Sequence, residues 1–103
     1  MSYKIYETEG FGEEKDKLEG FEQKRIDKFS LKLKENPYQG DPLRYKWFRE
    51  KRINGKRVYF LIFDDLTAVL FVAISDKKTQ QETIDSVLNK LKEFRMYLEG
   101  KID

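Results

Sequence analysis

The clearest structural signal in this sequence is the stretch EKRINGKRVYFLIF, residues 50–63, which predicts a β-hairpin. Its turn is Asn54-Gly55, the pair that best tolerates the positive φ angles of a two-residue type I′ turn. The residues after the turn, 56–63, are mostly apolar, which indicates a central strand buried on both faces. Cations crowd the tip of this hairpin, and they form either a solvated turn or a site that holds an anion.

Further strands and helices are predicted on both sides of the hairpin. Tyr-rich and Ile-rich alternation predicts strands, and apolar residues at helical spacing predict helices. The elements in order are a strand at 3–8, helices at 13–20 and 21–36, a loop at 37–42, strands at 43–53, 56–63 and 67–75, and a C-terminal helix that begins at residue 79. The predicted fold class is α+β with the order β-α-α-β-β-β-α, in a single domain over residues 1–103. A helical hairpin and the C-terminal helix are expected to pack on a small, mainly antiparallel sheet.

Local signals predict where several of these elements begin and end. Gly10 and Gly12 are expected to end the first strand. Thr79 and Glu82 have the spacing of a helical capping box, and Gly100 is expected just past the last helical residue. The predicted stripes at helical spacing are Phe21, Ile26, Phe29 and Leu33 in the second helix, and Ile84, Val87, Leu88, Leu91, Phe94 or Arg95, and Leu98 in the last.

The composition excludes several kinds of chemistry. The 103 residues include no cysteine and no histidine, so the chain has no thiolate nucleophile, no disulfide and none of the commonest general bases or metal ligands. We therefore expect no cofactor and no metal. No apolar stretch reaches the roughly 20 residues of a membrane span, and the N-terminus lacks the apolar core of a signal peptide. We expect a cytoplasmic protein that does not associate with a membrane.

The net charge of +2 hides a basic middle segment. Seven basic residues and one acid, Glu50, lie between residues 44 and 57. With a two-residue turn, Arg52 faces Arg57 across the hairpin, and directly opposed residues share a face of the sheet. One face is then expected to carry Phe48, Glu50, Arg52, Arg57 and Tyr59, and the other Arg49, Lys51, Ile53, Lys56, Val58 and Phe60.

The opposed arginines, Arg52 and Arg57, are the strongest indication of an anion site. Like charges directly opposite each other destabilise a sheet, whereas two guanidinium groups side by side can grip a phosphate with paired donors. Three structural interpretations stay open. Glu50 could neutralise Arg57 from its diagonal position, the arginine stems could cover apolar sheet while their charged ends stay in water, and the register could slip if the turn is not two residues long.

Two further groups could extend an anion site. Lys77 and Lys78 lie between the 67–75 strand and the last helix, whose N-terminal amides favour anions, although an ordinary charged turn explains them equally well. Aromatic residues interleave with the basic segment and could stack on bases, although strand aromatics usually fill a core. Tyr45 and Tyr59 are the two expected to keep a hydroxyl near the basic face.

The segments NPYQGDPL (36–43), INGKRVYFLIFDDLTAVLFVAI (53–74) and SDKK (75–78) together resemble the RelE/ParE superfamily of type II toxin–antitoxin toxins. The family pattern is a helical hairpin that ends in an Asn-Pro loop, a basic strand, a strand with a Gly-x-Arg-Val motif, an acidic turn, an apolar strand, a short basic motif and a C-terminal helix. The resemblance covers nearly the whole chain in this order. It is closest to a divergent RelE-like member.

The resemblance implies both an activity and a site. RelE-like toxins cleave mRNA on the ribosome with basic residues in place of a histidine-based acid–base pair, and ParE-like toxins act on DNA gyrase. Arg57 matches the central-strand arginine that contacts the scissile phosphate in RelE-like toxins. The preceding basic strand and the basic pair after the last strand correspond to Arg49, Lys51, Arg52, Lys77 and Lys78. The family's frequent C-terminal tyrosine has no clear counterpart here, because its place falls near Ile84.

Taken with the resemblance, the residues predict a RelE-like toxin that inhibits translation as a ribosome-dependent endoribonuclease. The expected catalytic residues are Arg57, Arg52, Lys51 and Lys78, and the expected RNA- or phosphate-binding residues are Arg49, Lys56, Lys77, Tyr59 and Tyr45. The alternative is a catalytically degenerate binding module on the same fold, which contacts RNA, the ribosome or a protein partner, or a ParE-like gyrase inhibitor. The expected partners are an antitoxin protein and the ribosome with its mRNA.

Overall fold

The computed structural model describes residues 2–102, which form a five-stranded sheet with helices on both faces. The strand order is β1-β5-β4-β3-β2; β1 runs parallel to β5, and the other neighbours are antiparallel. The elements are β1 (Lys4–Glu7), α1 (Glu9–Asp16), α2 (Gly20–Glu35), β2 (Asp41–Pro42), β3 (Phe48–Ile53), β4 (Lys56–Phe63), β5 (Ala68–Ser75), α3 (Gln80–Asn89) and α4 (Leu91–Lys101). The predicted α+β class and the mainly antiparallel sheet are confirmed.

Two apolar cores lie on opposite faces of the sheet, because β4 and β5 are buried on both faces. On the face covered by α1 and α2, Phe11, Ile26 and Leu33 pack against alternate residues of the central strands. On the other face, Val87 of α3 and Leu98 of α4 pack against the remaining set. The apolar runs at 56–63 and 67–75 are therefore central strands, as predicted.

The first helix begins earlier than predicted. Gly10 and Gly12 lie inside α1 and do not end the strand. Thr8 caps this helix, since its side-chain oxygen accepts a hydrogen bond from the Phe11 backbone N–H at 3.0 Å. The cap turns the buried Phe11 ring into the core, and this tertiary contact outweighs the low helix propensity of the two glycines.

Helix α2 follows its predicted stripe at three of four positions. Ile26, Phe29 and Leu33 are buried, but Phe21 is 48% exposed and the prediction for it was wrong. Glu22 is buried in its place because the capping box at the start of α2 and a contact with the hairpin tip both use its carboxylate.

The strand predicted at 43–53 begins only at Phe48, and the predicted loop at 37–42 contains a two-residue edge strand, β2. Asp41 and Pro42 of β2 pair with Glu50 and Arg49. The intervening residues form a short connection, and Trp47 touches both cores.

The C-terminal segment is two helices and not one. The helix is interrupted at Lys90, between α3 and α4. The change of direction there lets Val87 and Leu98 both reach the same core. One straight helix over this span would be about 33 Å long, longer than the strands that it covers. The predicted capping box is also wrong, because Thr79 makes no side-chain cap, and Gly100 lies inside α4. Within residues 2–102, no helix is long and apolar enough to cross a membrane.

Candidate functional site

The β3–β4 hairpin has the predicted register. Asn54 and Gly55 have φ angles of 51° and 78°, as a type I′ turn requires, and Arg52 lies directly opposite Arg57. The alternative of a slipped register is therefore excluded. Because the register holds, the two arginines project from the face of the sheet that α3 covers.

Arg52, Arg57, Glu50 and Gln80 form a group that we name the arginine cluster. The Glu50 carboxylate lies between the two arginines, with one oxygen 3.9 Å from Arg57 Nε and the other 3.7 Å from Arg52 Nε. Gln80, the first residue of α3, donates its side-chain amide to Glu50 at 3.0 Å. Glu50 thus offsets part of the arginine charge, as one structural interpretation of the sequence proposed. Two cations and one anion still leave a net positive site.

Arg57 is the buried member of the arginine cluster and Arg52 the exposed one. Their side chains are 9% and 65% exposed, respectively. Arg57 Nε is buried without a hydrogen-bond partner among residues 2–102, since Glu50 lies beyond hydrogen-bond distance. A buried charged donor without an acceptor is costly, so this atom is suited to an acceptor that arrives with a ligand.

Tyr59, which was expected to keep a hydroxyl near the basic face, lies on the same face of the sheet as the two arginines, but its hydroxyl is enclosed in the core. The residue is fully buried, and its hydroxyl lies 2.7 Å from Ser75 Oγ, which itself donates to the Asp76 carbonyl. Burial raises the pKa of the Tyr59 hydroxyl. Tyr59 therefore supports the floor of the arginine cluster from within the core and is not placed to touch a ligand.

Lys77 and Lys78 are exposed in the turn between β5 and α3. Ser75 pairs with Arg57 across β4 and β5, so the turn begins at the end of the sheet where Arg57 lies. Asp76 holds the turn by accepting hydrogen bonds from the backbone and hydroxyl of Thr79, and the backbone bond in particular lowers the pKa of Asp76. Both lysines are thus exposed on a turn that begins beside the arginine cluster.

Lys51 and Lys56 lie on the opposite face of the sheet from the arginine cluster, as the strand pairing requires. The Lys51 ammonium lies over the Phe29 ring of α2, 5.3 Å from its centroid. Lys56 binds the buried Glu22 carboxylate at 3.1 Å, and Asn54 binds the same oxygen. These contacts, the Asn54 hydrogen bond foremost, lower the pKa of Glu22. The sheet therefore separates Lys51 from a substrate held by Arg57, and Lys56 serves the fold.

Arg49 is also a structural residue, which corrects its expected role in binding phosphate. Its guanidinium donates to the backbone carbonyls of Gln39, Lys46 and Gly40, at 2.8, 3.0 and 3.2 Å. The side chain is almost completely buried and also lies over the Tyr38 ring. Arg49 thus ties together the connection between α2 and β3, and each of its three guanidinium nitrogens donates a hydrogen bond within the chain.

Tyr45, which was expected to keep its hydroxyl near the basic face, is exposed but lies away from the arginine cluster. Its ring stacks on Trp47 with centroids 4.6 Å apart, just before β3 begins. Arg52 lies near the other end of the same strand. Tyr45 therefore offers an aromatic surface at a different edge of the molecule.

Two residues at the site, Gln80 and Ser75, were not predicted from the sequence. Gln80 reaches Glu50 because α3 packs over the sheet, and Ser75 reaches the Tyr59 hydroxyl because β5 pairs with β4. The described residues contain no group of three or more side chains suited to a metal ion. The site is therefore one of guanidinium, carboxylate and ammonium groups.

No protein-family model and no curated protein sequence matches this chain, whereas solved structures do. A mutant of the E. coli toxin RelE in the free state superposes with a TM-score of 0.70 at 14% identity, over 84% of this chain and 99% of that one. The Mycobacterium tuberculosis toxin–antitoxin complex RelBE2 gives 0.63 at 21% identity, over 75% and 93%. An archaeal RelE–RelB complex from Pyrococcus horikoshii gives 0.63 at 13% identity, over 75% and 97%.

These likenesses confirm the fold that the sequence resemblance implied. The chain has the architecture of RelE toxins over most of its length, at sequence identities too low to carry residue roles across. The function has to be argued from the side chains that this chain itself places at the site.

Proposed function

We propose that this chain, which has the fold of RelE toxins, is itself a toxin that inhibits translation by cutting mRNA on the ribosome. The observation that carries the proposal is the buried Arg57, whose Nε has no acceptor, directly opposite Arg52 on one face of the sheet. Two guanidinium groups in this arrangement can hold the two free oxygens of an RNA phosphate. The proposed place of action is the cytoplasm, where translation takes place.

The proposed reaction uses the RNA's own 2′-hydroxyl as nucleophile. The O2′–P bond forms, the P–O5′ bond breaks, and the products are a 2′,3′-cyclic phosphate and a 5′-hydroxyl. Arg57 and Arg52 stabilise the negative charge that builds on the phosphate oxygens in the transition state. A base has to take the 2′-hydroxyl proton, and an acid has to protonate the leaving O5′.

Glu50 is the base that the geometry supports best. It is the carboxylate that contacts both arginines, and an incoming phosphate would replace it as their partner. The displaced carboxylate would then lie next to the bound RNA, where it could take the proton of the 2′-hydroxyl. Lys51, one of the expected catalytic residues, faces α2 instead. We assign the acid to the exposed turn at Lys77 and Lys78.

The second candidate is a binding module without chemistry. It is favoured by the present pairing of Glu50 with both arginines and by the burial of the Tyr59 hydroxyl, because the site at rest holds no free base. In this function the arginine cluster binds RNA or the ribosome and blocks translation by occupying it. A gyrase inhibitor has no particular observation in its favour.

A translating extract separates the two candidates. The wild-type chain is expected to cut ribosome-bound mRNA, and Arg57→Gln is expected to lower the cutting rate about 100-fold or more, the size of effect seen when one charge-stabilising donor is removed. Glu50→Gln should retain RNA binding and lose cutting. Arg44→Gln, which removes an exposed arginine outside the cluster, is the matched control. Primer extension on the mRNA measures the cuts, and circular dichroism checks that each variant is folded.

The outcomes assign the function without overlap. Loss of cutting in Arg57→Gln and Glu50→Gln, but not in Arg44→Gln, supports the nuclease. Inhibited translation with intact mRNA supports the binding module. Undisturbed translation in the presence of the wild-type chain contradicts both.

We further propose an antitoxin partner. Two of the similar structures are complexes of a RelE-type toxin with its antitoxin. The arginine cluster is the net positive site that an acidic antitoxin segment could cover, and such a segment would compete with RNA for the same two guanidinium groups. Relief of translation inhibition by the co-expressed partner would support this part of the proposal.

A further inference from the structure

A second group of cations lies on the other side of the sheet, outside the arginine cluster. Arg25, Lys28 and Lys32 of α2 surround a shallow cavity of about 150 Å³ together with Lys51 of β3. The floor of the cavity is formed by Phe29 and Ile53. We name the four cations the α2 basic face.

The cations of this face repel one another along the helix. Arg25, Lys28 and Lys32 are three and four residues apart, so neighbouring members stand one above the other on α2. Like charges at this spacing destabilise a helix. Within residues 2–102, none of the four makes an ion pair within 4.0 Å.

The acids nearest in sequence are engaged elsewhere or stand apart. Glu22 receives hydrogen bonds from Asn54, Lys56 and the Glu19 backbone. Asp27 binds Lys15 of α1 at 2.6 Å. Glu35, the remaining acid of α2, forms no ion pair with these cations. The α2 basic face therefore retains its full charge, which an external polyanion would neutralise.

We propose that the α2 basic face binds the phosphate backbone of double-helical RNA. The choice of RNA as the polyanion rests on the proposed function. The presence of the cationic surface is independent of that function. Single strands are usually held by base stacking on exposed aromatic rings, but the one ring that lines this cavity, Phe29, is buried beneath Lys51. A surface of cations without a stacking ring suits duplex RNA, which proteins recognise largely through its phosphates and 2′-hydroxyls.

The α2 basic face lies on the other side of the sheet from the arginine cluster, so RNA bound there would have a role distinct from cutting. Lys51 points to the α2 side of the sheet, whereas its neighbours Glu50 and Arg52 point to the α3 side. A single strand in the arginine cluster and a duplex on the α2 basic face would therefore lie on opposite faces of one sheet. The structured RNA of a ribosome could hold the chain by the α2 basic face while mRNA enters the arginine cluster.

The test is a salt titration of RNA binding. The probes are a blunt-ended RNA duplex and an oligouridine strand of equal length, at salt concentrations from about 50 to about 200 mM. The variants are the triple change Arg25→Gln/Lys28→Gln/Lys32→Gln, the single change Lys51→Met, which keeps the stem over Phe29, and Arg57→Gln. The control is Lys4→Gln/Lys90→Gln/Lys92→Gln, which removes the same charge at exposed sites elsewhere.

The triple variant is expected to lose duplex affinity by about tenfold or more, and its log–log salt slope should fall by about 2 to 3, close to 0.9 for each lost phosphate contact. Lys51→Met should lower the slope by about 1, and the control triple should leave the slope near the wild-type value. Arg57→Gln should weaken binding of oligouridine and leave duplex binding unchanged.

Equal losses in the triple variant and in its control would overturn the inference, because general charge alone would then explain the binding. Duplex binding that no α2 variant weakens would overturn it as well, as would binding of polyglutamate without binding of duplex, which would assign the face to an acidic protein. Cutting of mRNA is scored separately. If the wild-type chain does not cut mRNA but the triple variant selectively loses duplex binding, the nuclease proposal is rejected and the duplex-binding role of the α2 basic face is still supported.

Discussion

Arg49 and Arg57 are both buried arginines of the β3–β4 hairpin, yet they differ in what their donors meet. Arg49 donates to three backbone carbonyls, so its charge serves the connection between α2 and β3. Arg57 keeps a buried Nε without an acceptor. Burial alone therefore does not distinguish a structural arginine from a functional one. The distinction lies in whether each guanidinium N–H already has an acceptor within the protein.

At this scale we predict that Arg49→Gln lowers the free energy of unfolding by about 3 kcal/mol, because it leaves carbonyls without their charged donor. Arg52→Gln should change it by no more than about 0.5 kcal/mol, since that side chain is exposed. Urea unfolding followed by circular dichroism measures both. Similar losses in the two variants would contradict the structural role of Arg49.

At the scale of elements, two glycines with nearly the same backbone serve different turns. Gly40 and Gly55 have φ angles of 75° and 78°. A Cβ on Gly55 would meet nothing within 4 Å, whereas one on Gly40 would lie 2.5 Å from the Glu50 carbonyl oxygen. Gly55 is needed only for its conformation, and Gly40 is needed also for the close approach of the loop to β3.

We therefore predict that Gly55→Ala destabilises the chain by about 1–2 kcal/mol, the cost of a left-handed alanine. Gly40→Ala should cost roughly 2 kcal/mol more, because the added methyl forces the loop away from β3 as overpacking does. It should also disturb Arg49, which binds the Gly40 carbonyl. Thermal and urea unfolding of the two variants side by side provide the measurement. An equal cost at both positions would show that the loop moves freely.

At the scale of the whole molecule, one carboxylate joins three distant segments. Asp64, between β4 and β5, accepts hydrogen bonds from Tyr3 before β1 and from Tyr38 after α2. The hydrogen bond from Tyr38, followed by that from Tyr3, lowers the pKa of Asp64. Burial and then the Asp64 hydrogen bond raise the pKa of Tyr38 to about 12.

A tyrosine whose pKa is raised on folding contributes stability that is fully present below about pH 10 and is lost as the pH rises toward 12. We predict that the wild-type chain loses stability over this range and that Tyr38→Phe flattens the loss. Tyr45→Phe is the control, because Tyr45 is exposed and its hydroxyl makes no hydrogen bond within residues 2–102. Urea midpoints from pH 7 upward give the comparison. Equal slopes for wild type and Tyr38→Phe would contradict it.

Much of the fold followed from local patterns in the chain. The Asn54-Gly55 turn set the hairpin register and with it the opposition of Arg52 and Arg57, because two adjacent residues dictate how the flanking strands pair. The boundaries near Gly10 and Lys90 were mispredicted. There, packing of Phe11 and Leu98 onto the sheet overrides the local preferences of the backbone.

The sequence by itself thus determined four of the five strands, most of the helices and the face on which each hairpin side chain lies, because these depend on neighbours in the chain. Tertiary structure alone decided which cations are left for a ligand. Lys56 meets Glu22 and Glu50 meets Gln80 across about thirty residues, and Arg49 is taken up by the loop that folds over it. These distant contacts leave the buried Nε of Arg57 without a hydrogen-bond partner, and no local pattern in the chain predicts this.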